Sequence, residues 1–389
     1  MISSLTRRAA TSVAAVEKVR ILGRNCATQT TTVDNINNND VKGGGGMGYG
    51  NVHKQHIPSV ESENLYRLVT SSPKTVSIIG APMTYGQPFV GTDSSPALIR
   101  EHGLVRDLDK LGWRVDDTGD IDFVTICEQQ QYQQSSSIVI NAKNCLKIGA
   151  GTKALSNIVE SKIKLGHFPL ILGGDHSIAV GSLAGILRAK PDTGVIWVDA
   201  HADLNTPASS ESGNMHGMPL AIMTKELVPD RRAIPGFEWL EEGSTVPFLS
   251  PKSLVYVGLR DIDKAERQFI RQLGIKIFTM YDIDHLGIGR VMDLALEHLL
   301  TNNPNRPIHL SYDIDAVDPI HAPATGTAVR GGLTWREAHF VAEHVVKRGN
   351  LASAEIVEVN ATLSDGQGAS VTVELGHQLV NALLGEAML

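Results

Sequence analysis

Short apolar segments alternate with longer amphipathic segments along most of this chain of 389 residues. The apolar segments contain the β-branched and aromatic residues that are typical of buried strands. They begin near positions 75, 168, 194, 253, 275 and 307. Amphipathic stretches with the helical period lie between most of them, for example 95–111, 139–165, 264–273 and 333–348. Strands that alternate with helices predict an α/β domain, in which helices cover both faces of a parallel sheet.

The first 72 residues lack this alternation. Residues 1–33 hold five basic residues, one acidic residue and nine serines or threonines, and an apolar stripe at helical spacing runs from Leu5 to Val16. This composition is typical of a mitochondrial transit peptide, with a disordered tail and a cytoplasmic protein as the alternative. Residues 34–56 are rich in Asn and Gly and are expected to be disordered. We therefore predict a transit peptide-like, low-complexity region at 1–72 and a single catalytic domain at 73–389.

Composition excludes several classes of protein. No apolar run approaches the roughly 18 residues that a transmembrane helix needs, so we expect no membrane span. A net charge of −7 without a long basic block argues against a nucleic-acid partner. Three scattered cysteines, Cys26, Cys127 and Cys145, support neither a disulfide scaffold nor a thiolate zinc site. Because residues 1–72 are net basic, the remainder of the chain is acidic, which suits a cationic substrate.

Acidic residues and histidines follow three of the predicted strands. They are Asp175 and His176, then Asp199, His201 and Asp203, and finally Asp313 and Asp315. Residues two apart in an extended segment point to the same side, and the carboxyl ends of parallel strands meet at one edge of a sheet. Any one motif alone could be a helix cap or a turn. Three such clusters together would repel one another without a cation, so we predict a metal site.

The predicted ligands are four carboxylates and two imidazoles without sulfur. This set favours Mn, Fe(II) or Zn over copper, calcium or magnesium. Six protein ligands are too many for one open catalytic ion, and they fit two ions about 3.5–4 Å apart that share carboxylates. Water between two cations can lose a proton near neutral pH, so such a site supplies a hydroxide nucleophile.

Three motifs carry a resemblance to a known family. G-G-D-H-S at 173, D-A-H-A-D-L-N at 199 and S-Y-D-I-D-A-V-D-P at 311 resemble, in order and spacing, the signatures of the ureohydrolase (arginase/agmatinase) family. Segments 203–217, 258–263 and 322–327 most resemble the arginases within it. The resemblance implies a three-layer α/β/α fold with a central, mainly parallel eight-stranded sheet. It also implies a centre of two Mn²⁺ ions per subunit.

The resemblance also implies a role for each metal ligand. One ion would be held by His176, Asp199, Asp203 and Asp313, and the other by Asp199, His201, Asp313 and Asp315. Asp203 would in addition hold the bridging hydroxide, Glu358 would face the guanidinium, and His216 would transfer protons. The implied reaction is hydrolysis of L-arginine to L-ornithine and urea, by attack of the metal-bridging hydroxide on the guanidinium carbon.

Further residues match positions that contact the substrate in the family. Asn205, Ser212 and Asn214 would bind the α-carboxylate, Asp263 the α-ammonium and Glu266 a water beside it, with Ser210 and Thr327 also in the site. Charge-assisted hydrogen bonds of about 1.5–3 kcal/mol each would separate L-arginine from agmatine, which lacks the carboxylate. Arg336 matches an arginine at the subunit interface of animal enzymes, which implies a homotrimer.

Four positions depart from the pattern of animal arginases. Ser210 stands where Thr is usual and keeps the hydroxyl, and Leu204 replaces Ile. Ala316 stands where Gly is usual, so the turn there must accommodate a Cβ. Lys264 follows Asp263 where Pro is common, and its charge could weaken binding of the substrate ammonium. Three alternatives stay open: an agmatinase or other amidinohydrolase with the same metals, a non-catalytic binding or scaffold protein, and a zinc amidohydrolase acting on acyl-lysine. Retention of all six ligands and His216 argues against the second, and the S-G-N-M-H loop argues against the third.

Overall fold

The computed structural model describes residues 75–129, 140–243, 246–348 and 350–386. Within these ranges, eight strands form one sheet in the order 2-1-3-8-7-4-5-6, and every neighbouring pair is parallel. The strands are β1 (Thr75–Ala81), β2 (Arg114–Asp120), β3 (Phe168–Gly173), β4 (Gly194–Val198), β5 (Leu254–Leu259), β6 (Lys276–Thr279), β7 (Pro307–Asp313) and β8 (Asn350–Val357). The predicted transit peptide-like region at 1–72 lies outside the described residues.

Helices cover both faces of this sheet. The helices among the described residues are α1 (Ser95–Glu101), α2 (Leu104–Lys110), α3 (Phe123–Glu128), α4 (Cys145–Lys164), α5 (Ala179–Ala189), α6 (Pro219–Met223), α7 (Lys264–Leu273), α8 (Met280–Leu286), α9 (Ile288–Leu300), α10 (Trp335–Arg348) and α11 (Gly366–Leu383). None of these described helices has the length and apolar content that crossing a membrane requires.

Alternate strand residues contribute to two separate hydrophobic cores. Ile78 packs into one core together with apolar residues of α1, α2 and α8 to α11. Its neighbour Ile79 points to the opposite face and packs with residues of α3 to α7. A strand buried on both faces appears as a continuous apolar run, which is why the hydrophobic pattern predicts the central strands. The three-layer α/β/α prediction is confirmed, and the sheet is wholly rather than mainly parallel.

The structure differs from the elements that the hydrophobic pattern predicts. All six predicted strands are present, and the sheet contains two more, β2 and β8, which the hydrophobic pattern did not predict. β2 is a largely exposed edge strand with the sequence R-V-D-D-T-G-D, so it has no apolar run. The predicted helix at 95–111 is two helices, because Gly103 interrupts it with a left-handed φ of 95°. The predicted helix at 139–165 begins only at Cys145.

The sheet order determines where a site can form. The strands β3, β8, β7, β4 and β5 are neighbours in that order, so their carboxyl ends lie side by side. In open parallel sheets, ligands bind in the crevice outside these strand ends. The last residues of these five strands and the loops that leave them contain every predicted metal ligand and most of the other predicted site residues.

Candidate metal centre and substrate cleft

The first group of predicted ligands surrounds the ring of His176. This residue begins a short 3-10 helix directly after β3. Its Nδ1 lies 3.2 Å from Asp199 Oδ2, 3.0 Å from Asp203 Oδ2 and 3.1 Å from Asp313 Oδ2. These carboxylates come from the loop after β4 and from the last residue of β7. Three strand ends therefore converge on one imidazole nitrogen.

The second group lies beside the first and shares Asp199 with it. His201 Nδ1 is 3.0 Å from Asp315 Oδ2 and 3.5 Å from Asp199 Oδ1. Asp199 and Asp313 are also fixed by their own loops, because their Oδ1 atoms accept hydrogen bonds from the backbone N–H groups two residues later. Two adjacent sets of potential ligand atoms, one from His176, Asp199 and Asp313 and the other from Asp199, His201 and Asp315, thus share Asp199. Within each set the atoms lie close enough together to bind one metal ion.

The donor atoms of the first group fit a cation. His176 Nδ1 is buried and has no hydrogen-bond partner among the described residues, although three carboxylate oxygens lie within 3.2 Å. Ligands about 2.1 Å from one ion and at right angles to each other are about 3 Å apart. A buried nitrogen lone pair among carboxylates is costly unless a positive charge stands between them. The geometry therefore supports binding of a metal ion by these residues.

Residues beneath His176 fix which ring nitrogen faces the cluster. His176 Nε2 lies 2.8 Å from Ser311 Oγ, and Ser311 donates a hydrogen bond to Glu355 Oε1 at 2.7 Å. Because the Ser311 proton is used in this way, the Nε2–H of His176 donates to Ser311. Although burial opposes it, Asp199, Asp203 and Asp313 raise the pKa of His176 well above its usual value, so without a metal ion Nδ1 carries a proton, which a bound ion would replace. The ring also stacks on Trp197 at 4.1 Å, and the Trp197 indole donates to Asp199 Oδ2.

Sequence analysis missed these supporting residues. Ser311 and Trp197 each stand two residues before a metal-ligand candidate, on the same side of their strands. That spacing is a signal that could have identified them. Asp175, in contrast, does not join the cluster, because its carboxylate accepts hydrogen bonds from Gly86 N and Ser177 N and caps the short helix.

Burial and crowding shift the proton affinities of the cluster. Burial and the negative charge of Asp199 raise the pKa of Asp203 to about 6. Burial, Asp315 and Asp199 raise the pKa of Asp313 well above its usual range. Although burial favours the neutral ring, Asp315 and Asp199 raise the pKa of His201 to about 12. Such shifts are expected where carboxylates outnumber the cations beside them, and a bound metal ion would relieve them.

Glu358 is brought over the cluster by an unusual backbone conformation. Its φ of 65° lies in the left-handed region, and so does the φ of 49° at Asp203. The Glu358 carboxylate accepts hydrogen bonds from His176 N at 2.7 Å and Gln87 Nε2 at 2.6 Å. His216 Nδ1 lies 3.4 Å from Glu358 Oε1. Although burial favours the neutral ring, Glu358 raises the pKa of His216 to about 9. Gln87 was not predicted from sequence.

A cleft of about 300 Å³ adjoins the metal-ligand candidates. All seven predicted substrate-contacting residues line it, namely Asn205, Ser210, Ser212, Asn214, Asp263, Glu266 and Thr327. His201, Asp203, Asp313 and His216 also line this cleft, so the expected chemistry and the expected recognition share one space. Thr327 in addition donates a hydrogen bond to Asp315 Oδ2 at 2.9 Å.

Two elements hold the cleft walls in place. Asn205 Nδ2 donates to Asp263 Oδ2 at 2.8 Å, and Asp263 with Glu266 forms a capping box at the start of α7. On the other wall, Ser210 Oγ accepts from Gly213 N, and Ser212 Oγ accepts from Asn214 N. Burial raises the pKa of Glu266 to about 7, although two backbone N–H groups oppose that rise.

The cleft is strongly acidic. Sequence analysis missed two of its acids, Glu211 and Asp261, and none of the described residues that line it is a Lys or Arg. Lys264 is exposed at the start of α7 and is outside the set of described residues lining the cleft. Ala316 ends the 3-10 helix Ile314–Ala316, a right-handed segment that accommodates its Cβ. Neither Lys264 nor Ala316 therefore lines the cleft, whereas Ser210, which also departs from the animal arginase pattern, does line it.

The sequence profile described as Arginase family matches residues 74–385. Arginase-1 of Rattus norvegicus is 44% identical over 295 residues, which cover 76% of this chain and 87% of the rat protein. Human "Arginase-2, mitochondrial" is 39% identical over 323 residues, or 83% of this chain and 88% of the human protein. The crystal structure of Entamoeba histolytica arginase with L-ornithine has a TM-score of 0.67 and 29% identity, and it covers 81% of this chain and 100% of that one.

Proposed function

This chain belongs to the arginase family, and on that premise we infer that it is a hydrolase that converts L-arginine and water to L-ornithine and urea. The observation that carries this inference is the single acidic cleft shared by the metal-ligand candidates and the seven substrate-contacting candidates. An acidic cleft attracts a substrate that bears a guanidinium and an ammonium group. The crystallised Entamoeba relative, whose ligand is L-ornithine, adds support for an amino-acid substrate.

We propose that the cofactor is a pair of Mn²⁺ ions. His176, Asp199, Asp203 and Asp313 would hold one ion, and Asp199, His201, Asp313 and Asp315 the other. The donors are carboxylate oxygens and imidazole nitrogens only, a set that suits Mn²⁺ better than softer metals. When bound, such a pair supplies the nucleophile by lowering the pKa of water.

The charges of the cleft give the substrate one direction. The guanidinium would lie at the buried end, where Asp203 and Glu358 carry negative charge. The α-ammonium would pair with Asp263, beside a water held by Glu266. The α-carboxylate would accept hydrogen bonds from Asn205, Ser212 and Asn214, with Ser210 and Thr327 completing the walls. This orientation brings the guanidinium carbon to the metal-ligand end of the cleft.

Within this arrangement His216 serves as the proton donor. Its pKa of about 9 keeps the imidazole protonated at neutral pH, because the Glu358 carboxylate stands beside it. As the bond between the guanidinium carbon and the side-chain nitrogen of the substrate breaks, the His216 proton passes to that nitrogen. The guanidinium carbon, now bonded to the oxygen of the hydroxide, leaves as urea, and the nitrogen that receives the proton becomes the side-chain amino group of L-ornithine.

The test is release of urea by the purified chain from L-arginine and from agmatine, each with and without added Mn²⁺. We expect manganese-dependent release from L-arginine and much slower release from agmatine. The opposite preference would assign the chain to the agmatinases. Absence of turnover with either substrate, together with absence of stoichiometric manganese binding, would instead support a non-catalytic protein.

We further propose a mitochondrial location and a homotrimer. The basic, hydroxyl-rich segment at 1–33 supports the location, and the family match begins at residue 74, after the proposed presequence. Residues 1–72 fused to a fluorescent protein should enter mitochondria, and a cytoplasmic signal would contradict the location.

Arg336 would lie at the subunit interface of the proposed homotrimer, so Arg336→Ala should lower the trimer fraction seen by analytical ultracentrifugation.

A further inference from the structure

The segment Asn141–Lys143 packs against the loop that forms the wall of the cleft. Asn141 Nδ2 donates a hydrogen bond to Ser210 O at 2.6 Å, and Lys143 N donates to Gly213 O at 2.8 Å. The Lys143 ammonium donates to Asn214 Oδ1 at 3.2 Å. Three contacts therefore join this segment to the part of the loop that holds Ser212 and Asn214.

The contact between the two segments is close. Gly213 has a left-handed φ of 71°, and a Cβ at this position would come 2.3 Å from Asn141 Oδ1. A larger residue at Gly213 would therefore displace the Asn141 side chain that bonds Ser210 O, and it would be strained at this φ. The fit fixes the position of Lys143 relative to Asn214, so that the contact between their side chains does not depend on a freely moving loop.

Lys143 fixes the orientation of the Asn214 amide. An ammonium group has donors only, so it must face the amide oxygen rather than the amide nitrogen. The Nδ2 group of Asn214, with its two hydrogens, then remains available as a donor. Because Asn214 lines the cleft, this donor is available to an anionic group of the substrate.

The charge of Lys143 has a second effect. The cleft contains the acids Glu211, Asp261 and Asp263, and among the described residues no Lys or Arg lines it. A substrate carboxylate entering this space meets repulsion from these acids. The ammonium of Lys143, one side chain behind Asn214, offsets that repulsion where the uncharged donors lie.

We propose that Lys143 is a positioning residue for recognition of the substrate α-carboxylate, acting through the amide of Asn214 and through its own charge. This role rests on the proposed function and deepens it, since only a substrate with a carboxylate benefits. It predicts that Lys143 affects binding of L-arginine, and does not affect the chemical step.

The test compares Lys143→Met, Lys143→Gln and Lys143→Arg with the wild-type chain. The KM and kcat for L-arginine are measured, together with the inhibition constant of L-argininamide, in which a neutral amide replaces the carboxylate. Lys143→Met should raise the KM by about tenfold, the size of one lost charge-assisted contact, and leave kcat within twofold. The inhibition constant of L-argininamide should stay within twofold.

Two other substitutions at Lys143 separate orientation from charge. Lys143→Gln keeps a donor and should give an intermediate KM, whereas Lys143→Arg keeps donor and charge and should restore most of the affinity. The matched control is Lys147→Met, since Lys147 lies four residues further on, in the first turn of α4, and its ammonium stands over the Tyr85 ring, 4.7 Å from its centroid. This control should leave the KM unchanged.

The outcomes distinguish the two levels of the proposal. A wild-type chain that releases no urea from L-arginine would contradict the proposed function and remove the premise for Lys143. Wild-type turnover with equal effects of Lys143→Met on L-arginine and L-argininamide would leave the function intact and overturn the role of Lys143. A fall in kcat without a change in KM would overturn it as well.

Discussion

At the scale of single residues, Asp203 and Glu358 combine a chemical role with an unfavourable backbone. Both have positive φ, a region that costs residues with a Cβ about 1–2 kcal/mol. Such strain is maintained only where surrounding contacts over-determine the conformation, and for Glu358 these include its hydrogen bonds with His176 and Gln87. The strained backbone at Glu358 therefore indicates that its carboxylate must lie beside His176 and Gln87, a position that these hydrogen bonds maintain.

Substitution of Glu358 by Gly and by Ala tests this strain. Both variants lose the carboxylate, so both should lose most of their activity. Glu358→Gly should nevertheless be more stable than Glu358→Ala by about 1 kcal/mol, because only Gly relaxes at this φ. Thermal or urea unfolding measures the difference. At exposed Glu374 in the middle of α11 the order should reverse, and equal stabilities at Glu358 would contradict the strain.

Glu266 gives a pH dependence with a definite sign. Its pKa rises from 4.5 to about 7 on folding, mainly through burial. The stabilising effect of its protonated form is therefore complete below pH 4.5 and is lost as the pH rises through about 7. The loss should be at most about 3 kcal/mol.

Unfolding of metal-free wild type and Glu266→Gln between pH 4.5 and 8 measures this effect. The variant should lose less stability over the range than the wild type. Glu297→Gln, at an exposed position of α9, should keep the wild-type slope. Parallel curves for wild type and Glu266→Gln would show that Glu266 does not titrate in this range.

The sequence predicts much of the site at this scale, but not all of it. The metal-ligand candidates were found because D-x-H-x-D and D-x-D after a strand direct their side chains to one side. Lys143 and Gln87 gave no such signal, because each contacts a residue more than 70 positions away in the sequence. Positive φ at Asp203 and Glu358 was also not predicted, since residue type alone does not determine it.

At the scale of elements, the register of β7 and β8 supports the metal centre. Ser311 and Glu355 are direct partners in this strand pair. Their hydrogen bond links the ring of His176 to a buried carboxylate in the middle of the sheet. Strands β7 and β8 therefore hold His176 by its Nε2 atom, and the Nδ1 atom faces the other metal-ligand candidates.

Ser311→Ala should weaken binding of the ion at His176, because the ring loses the partner that fixes its tautomer. Loss of such a supporting contact typically costs about 10- to 100-fold in metal affinity. Manganese titration followed by calorimetry measures it. Ser77→Ala is the matched control, since Ser77 is buried in β1 of the same sheet but donates to Asp116 Oδ2, away from His176. Equal effects of both variants would argue against the relay.

Prediction of elements depended on burial. Central strands such as β4 are buried on both faces and have continuous apolar sequences, so the hydrophobic pattern found them. β8 is also mostly buried, but Ala and Ser fill much of it, and small residues give a weak signal. The hydrophobic pattern identifies segments that are rich in large apolar residues. It misses strands such as β2 and β8, which form because they pair with adjacent strands of the sheet.

At the scale of the whole molecule, metal ions should contribute to stability. Four carboxylates and two imidazoles converge from three strand ends. Without metal ions, the negatively charged carboxylates would repel one another at the carboxyl edge of the sheet. At a free ion concentration a thousandfold above Kd, each ion adds about 4 kcal/mol. A chelator should therefore lower the melting temperature by roughly 5–15 °C.

Differential scanning calorimetry with and without chelator measures this effect, and added Mn²⁺ should restore the original transition. Asp315→Ala should show a smaller response, because one ion loses a ligand. A melting temperature that is the same in the presence of chelator and of Mn²⁺ would contradict ion binding at this centre.

The polar strand β2 has a consequence for how copies of this chain can associate. Among the described residues no strand pairs with its outer edge, and most of its own residues are exposed. Its carboxylates Asp116, Asp117 and Asp120 form ion pairs with Lys162 and Arg100. A strand from a second molecule would have to desolvate or break these ion pairs and would gain little apolar contact. Growth of the sheet by addition of strands on that side is therefore disfavoured, which protects the chain from fibre formation at high concentration.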